Sequence, residues 1–130
     1  MTTILIGTDG EAASEVICDY LEDCLSDADT VYAVNVEPTH EDSDKSVAGR
    51  KGLVLVKSRL GDLADVNTRQ LETGSSPARE LLSLAEGVDA DEIVIGLRHH
   101  SMSDRIIFGS TAASILKQTT RPVIAVPLSE

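Results

Sequence analysis

The sequence predicts a single α/β domain, spanning residues 1–130, built on a doubly wound parallel sheet of five strands. Three observations carry this reading. Short, nearly continuous apolar runs recur along the chain, the pattern of strands buried on both faces. Between them lie segments of helical periodicity. Turn formers punctuate the boundaries. The resulting order, β-α-β-α-β-α-β-α-β, closes through right-handed crossovers into a sheet with helices on both faces. No internal repeat or linker interrupts it.

The elements follow in order. Thr3-Ile4-Leu5-Ile6 is a buried strand ending in the turn Gly7-Thr8-Asp9-Gly10. Ala13, Val16, Ile17, Tyr20, Leu21, Cys24 and Leu25 then form one apolar helical stripe against an acidic opposite face. Val31-Tyr32-Ala33-Val34-Asn35-Val36 is the second strand, stopped by Glu37-Pro38. Residues 39–46 are polar and acidic and read as a mobile loop. Leu53, Val56, Leu60 and Leu63 keep helical spacing and predict a helix, despite Gly49 and Gly52 near its start, although the run Leu53 to Val56 alone also suits a strand. Residues 66–72, mostly polar, read as an edge strand ended by Gly74. Ser76 and Pro77 supply an N-cap and a first-turn proline. Ala78, Leu81, Leu82 and Ala85 form that helix's stripe, and Gly87 stops it. Glu92-Ile93-Val94-Ile95-Gly96 is a further buried strand, followed by a long loop over residues 97–108. Gly109-Ser110-Thr111 opens the last helix, with Ala112, Ile115 and Leu116 inward. Arg121-Pro122 ends it, before the final strand Val123-Ile124-Ala125-Val126.

Composition narrows the function classes. Twenty-two acidic residues face eleven basic ones, a net charge of −11 and a pI near 4.5. Such a surface repels phosphate backbones and anionic headgroups, so neither nucleic acid nor membrane is expected as a partner. Lysine is scarce, and the acid-rich surface suits a salty cytoplasm where screening removes self-repulsion, which suggests a haloarchaeal source. No apolar run approaches the roughly 20 residues of a membrane span. The N-terminus lacks the basic region of a signal peptide, so a cytoplasmic protein is expected. Cys18 and Cys24 offer no CxxC or disulfide framework and read as small core hydrophobes.

In open parallel sheets, ligands bind beyond the C-terminal strand ends, where strand order reverses. Three segments lie at such ends: Gly7-Thr8-Asp9-Gly10, Asn35-Val36-Glu37, and Gly96 through Thr111. In the last, a glycine precedes a helix start carrying Ser110 and Thr111, a pattern suited to cradling phosphate through free N–H groups and the helix dipole. Arg98 and Arg105 supply positive charge. Simpler roles compete: Asp9 as a helix cap, Gly109-Ser110 as a plain helix start, and the two arginines as surface charges. The adjacent His99 and His100, with His40 the only other histidine, fall short of a metal-ligand set.

These residues resemble the universal stress protein family. Its nucleotide-binding members carry Gly, two residues, Gly, nine residues, then Gly and Ser or Thr. This chain has Gly96, then His99 at the second glycine position, then Gly109-Ser110 at the matching distance. Asp9 matches the family's aspartate after the first strand, Val36 the residue whose backbone meets adenine, and Pro122 the proline opening the last strand. The resemblance covers essentially the whole chain. It implies a Rossmann-like, adenine nucleotide alpha hydrolase-like fold with strand order 3-2-1-4-5. It also implies an adenine nucleotide ligand such as ATP, with Mg2+ only alongside it, and a homodimer paired through the strand 123–126. His99 departs from the pattern: a side chain there obstructs backbone approach to phosphate, or the basic run Arg98-His99-His100 replaces backbone donors with cationic ones.

Two functional classes are expected. One is a stress-response regulator binding nucleotide through Gly7, Thr8, Asp9, Gly10, Val36, Ile95, Gly96, Arg98, His99, Arg105, Gly109, Ser110 and Thr111. The other is a dimeric adaptor of the same fold whose pocket no longer binds nucleotide and which acts on an unidentified protein partner. An enzyme is disfavoured beyond slow ATP hydrolysis, because no Walker A sequence, nucleophile elbow or Ser-His-Asp arrangement occurs. A phosphoacceptor receiver domain is disfavoured as well, since Asp9 stands without a neighbouring acid and residues 66–72 offer no strand-end aspartate.

Overall fold

Alternation within the first strand decides the layering. In the computed structural model, which describes residues 1–38, 43–100, 105–107 and 110–128, strand β1 (Thr3–Gly7) turns Ile4 and Ile6 to one face and Leu5 to the other. Both faces are buried, so each needs a layer of helices. On one side lie α1 (Glu11–Leu21) and α2 (Ser43–Leu60), whose Ile17, Leu21, Leu53, Val56 and Leu60 pack on Ile4, Ile6 and Val31. On the other lie α3 (Pro77–Gly87) and α4 (Ser110–Gln118), whose Leu81, Ala85 and Ile115 pack on Leu5, Ile93 and Ile95.

The remaining strands are β2 (Thr30–Pro38), β3 (Asp65–Thr73), β4 (Glu92–His100), the short β5 (Arg105–Ile107) and β6 (Val123–Pro127). The parallel sheet runs β3-β2-β1-β4-β6, with Leu5 level with Tyr32 on one side and Ile93 on the other. Counting its five parallel strands alone, this is the expected order 3-2-1-4-5. Among the described residues, no helix is long and apolar enough to cross a membrane.

Several expectations need correction. Residues 43–46 are helical and not loop, while 39–42 lie outside the described residues. Asp44 favours this earlier start, since a carboxylate in the first turn complements the helix dipole. Gly49 and Gly52 therefore sit mid-helix. The second strand continues through Glu37-Pro38. Residues 97–108 are not simply a loop: β4 runs on to His100, and β5 pairs back antiparallel, Arg98 opposite Ile107 and His100 opposite Arg105. The polar residues of this stretch hid its strand character, although its paired isoleucines favour it. Helix α1 ends at Leu21, so Cys24 lies beyond it and is exposed, and Tyr20 turns to solvent. Leu116, one step around α4 from the buried Ile115, is also exposed.

Candidate functional site

Strands β1 and β4 are neighbours whose chains leave in opposite directions across the sheet, β1 through α1 to β2 and β4 through α4 to β6. Their C-terminal ends mark the switch point at which a parallel sheet opens a crevice. A cavity of about 240 Å³ lies there. Gly7, Thr8 and Asp9 border it from β1, Val34 and Val36 from β2, and Ile95 and Gly96 from β4. Thr111, Ala112 and Ile115 close it from the first turns of α4. The walls are largely aliphatic, and polar groups concentrate at Thr8, Asp9 and Thr111. Few, placed polar groups in an apolar cleft are the usual make-up of a small-molecule site.

Glycine at two wall positions follows from packing. A Cβ at Gly7 would stand 3.1 Å from Leu81 Cδ1, and one at Gly96 would stand 2.8 Å from Leu128 Cδ1 and 3.3 Å from Ala13 Cβ. Any larger residue at position 96 would push into the crevice.

A buried polar network holds the β1 end in place. The Thr8 hydroxyl donates to Gly10 O at 3.0 Å and lies 2.7 Å from Ser14 Oγ, so the serine hydroxyl donates back to it. Asn35 Nδ2 donates to Thr8 O at 2.9 Å, and Thr8 N–H donates to Val34 O at 3.0 Å. At its outer end Gln70, itself exposed, donates through Nε2 to Asn35 Oδ1 at 3.1 Å and to Ser46 O at 2.7 Å. Satisfied buried networks of this kind rigidify what they connect. Here they tie the cavity floor to α1, β2, β3 and the start of α2.

The sequence-derived residues fall into three groups. Gly7, Thr8, Asp9, Val36, Ile95, Gly96 and Thr111 border the cavity. Gly10 does not; it occupies the cap position of α1, where its carbonyl accepts from Ser14 N–H at 3.1 Å. Asp9 is thus not the cap residue, and it lies exposed at the cavity edge. Ser110 begins α4, and Arg98, His99 and Arg105 take their backbone places on the β4–β5 ribbon that extends from the crevice strand. Gly109 lies outside the described residues.

Sequence reasoning missed Ala13, Val34, Pro77, Leu81, Ala112, Ile115 and Leu128. A signal existed for Pro77 and Leu81. Every helix of a doubly wound sheet starts on the same side as the strand ends, so the cap Ser76, accepting from Arg79 N–H at 3.1 Å, marks a helix start beside the crevice. Leu128 had none: it reaches the cavity because its N–H donates to Leu97 O at 2.7 Å beyond β6.

The groups whose proton affinity the fold visibly shifts stand elsewhere. Cys18 is pushed up to about 11 by burial in the α1–α2 core. Asp29, before β2, is held below the usual carboxylate range by N–H donors of Ser26 and Thr2. Burial, then the neighbouring Asp91, raises Glu92 at the start of β4.

Comparison with known proteins extends this picture. Residues 1–127 match the model of the universal stress protein family. A universal stress protein of Mycolicibacterium smegmatis is 36% identical over 79 residues, 53% of this chain and 61% of that protein; the match thus spans less than two thirds of the relative. Among solved structures, the universal stress protein of Archaeoglobus fulgidus superposes with a TM-score of 0.78 at 23% identity, over 97% of this chain and 98% of the other. A universal stress protein from the same organism in complex with dAMP gives 0.72 at 20% identity, over 97% and 98%.

Proposed function

The chain belongs to the universal stress protein family, and from that premise we propose that it is a cytoplasmic stress-response regulator that binds an adenine nucleotide. The observation that carries this is the position of the cavity: it lies at the sheet's switch point, between the ends of β1, β2 and β4 and the first turn of α4. The dAMP held by a relative of the same fold supports the choice of ligand.

The base sits against the aliphatic wall, with the backbone of Val36 at its polar edge and Asp9 on the ribose. Gly7, Ile95 and Gly96 allow close approach, while Thr8 and Gly10 support the site from behind. The phosphates lie toward Gly109, Ser110 and Thr111, because the start of a helix such as α4 offers N–H donors and a dipole that favour negative charge. Arg98, His99 and Arg105 add cationic groups in place of the missing glycine. Mg2+ enters only with the nucleotide. Binding, not turnover, is the activity, with slow hydrolysis at most.

Isothermal titration with ATP tests the reading. Wild type should bind, and Ser110→Ala should weaken binding by about 1.5–3 kcal/mol, the worth of a hydrogen bond to a charged group. His99→Gly should leave affinity equal or lower; a marked gain would mean that His99 obstructs the site. Absence of binding by both wild type and His99→Gly would leave the adaptor reading in its place.

A further inference from the structure

Among the described residues, strand β3 ends the sheet and pairs on one side only, with β2. Asp65 N–H bonds toward β2, to Asp29 O, so alternation turns the N–H and C=O groups of Val66, Thr68 and Gln70 outward. Lys57 Nζ donates to the outward carbonyl of Val66 at 2.6 Å. Thr68 and Gln70 are exposed. An uncovered edge of this kind is a template for another strand.

A cavity flanks this edge on each face of the sheet. On the α2 side, one of about 470 Å³ is bordered by Arg50, Leu53, Lys57 and Thr68. On the α3 side, one of about 250 Å³ is lined by Leu5, Tyr32, Val34, Leu84 and Val88 and reached past Arg69. Arg50 and Lys57 give the first a cationic rim, Arg69 borders both, and the second has an apolar floor behind Asn67 and Thr68.

The charge here runs against the rest of the molecule. Helix α2 carries Lys45, Arg50, Lys51, Lys57 and Arg59 against the single carboxylate Asp44, in a chain with twice as many acids as bases. Arg59 is taken up by Asp19 of α1 and by Glu22 just beyond its end. Among the described residues, no carboxylate pairs with Arg50 or Arg69, both exposed.

We propose that β3 is a docking edge for an extended, acidic segment of a partner protein, which adds to the sheet as a further strand. Its carboxylates face Arg50 and Lys57 on the α2 side, and its alternate apolar side chains enter the cavity on the α3 side. This is strand addition: main-chain bonds supply affinity, and the flanking pockets read a period of two. A second copy of the chain fits poorly, because two-fold pairing through β3 would set like charges of the two copies against each other.

The probe is a short fluorescein-labelled peptide of alternating Glu and Val, titrated against the full chain by fluorescence anisotropy. Binding should weaken with salt and fall about tenfold in the double variant Arg50→Glu, Lys57→Glu, from loss and reversal of the exposed charge pairs on the α2 side. Thr68→Pro, which removes one outward N–H at a tolerated edge position, should also reduce binding. Amide exchange at Thr68 and Gln70 should slow when the peptide binds. A peptide of the same composition with Glu and Val in separate blocks should bind about tenfold more weakly, since only alternation serves both faces. Equal binding of the blocked peptide, or unchanged exchange at Thr68 and Gln70, would overturn strand addition. Two further results would also overturn the proposal: a peptide-free dimer dissociated by Arg69→Glu, assigning the edge to a second copy, or a single-stranded oligonucleotide displacing the peptide.

Discussion

The two cysteines share a residue type and differ in almost everything the fold can impose. Cys18 is fully buried between α1 and α2, and Cys24 is exposed beyond the helix end. Burial, only partly offset by Arg59, raises the Cys18 thiol to about 11, and the thiolate is the reactive form. Iodoacetamide at pH 8 should therefore modify Cys24 alone in the native protein, and both cysteines after denaturation. Comparable native rates at the two sites would contradict the burial. The linkage has a defined sign. The folded state holds the Cys18 proton more tightly than the unfolded chain, so this stability is intact below pH 9 and is lost as pH rises toward 11. Asp29 acts in the opposite sense: its lowered affinity stabilises the fold above the carboxylate range, and that contribution disappears as pH falls through it.

At the scale of elements, α2 shows how tertiary packing overrides propensity. Glycine within a helix costs about 0.8–1 kcal/mol relative to alanine, which argues for placing Gly49 and Gly52 at the helix start. Both sit mid-helix because there is no room for anything else. A Cβ at Gly52 would lie 2.7 Å from Gly10 O and 2.9 Å from Ser14 Oγ, and one at Gly49 would overlap the Asn35 amide. Gly52→Ala should therefore destabilise by about 1–3 kcal/mol in urea unfolding, as overpacking does, against the propensity trend. Gly87→Ala, with nothing within 4 Å, should be neutral or stabilise by up to about 1 kcal/mol. Similar stabilisation by both alanines would show that the α1–α2 contact is loose. Gly49 also bears on the site, because the Asn35 it accommodates holds the Thr8 carbonyl at the cavity floor.

At the scale of the whole molecule, charge and assembly are linked. A net charge of −11 on 13.8 kDa repels itself at low salt. Between about 0.1 M and 1 M KCl the Debye length falls from about 10 Å to about 3 Å. The melting temperature should climb over that range, and a flat response would remove the proposed adaptation to a salty cytoplasm. Screening should also favour the homodimer that we propose to form through β6. Its Val123, Ile124, Ala125 and Val126 are all only half-buried and, among the described residues, pair with β4 alone. Light scattering in molar KCl should report about twice the chain mass; a monomer there would reject pairing through this edge.

The division between sequence and tertiary structure follows the range of the interactions. Burial on one face or two is written locally, in apolar periodicity, so Thr3-Ile4-Leu5-Ile6, the Ala13, Ile17 and Leu21 part of the α1 stripe, though not Tyr20 or Cys24, and the capped start of α3 were legible. With alternation, crossover handedness and family resemblance, that was enough for the strand order and for placing a crevice beyond Gly7 and Gly96. The rest depended on partners distant in sequence. Gly49 and Gly52 read as helix breakers until Asn35, Gly10 and Ser14 arrive against them. Leu128 enters the crevice through one bond to Leu97, and the contrast between the two faces of β3 exists only once α2 and α3 flank it. Periodicity reports that a face is covered; which atoms cover it, and how closely, is decided by contacts that no local pattern encodes.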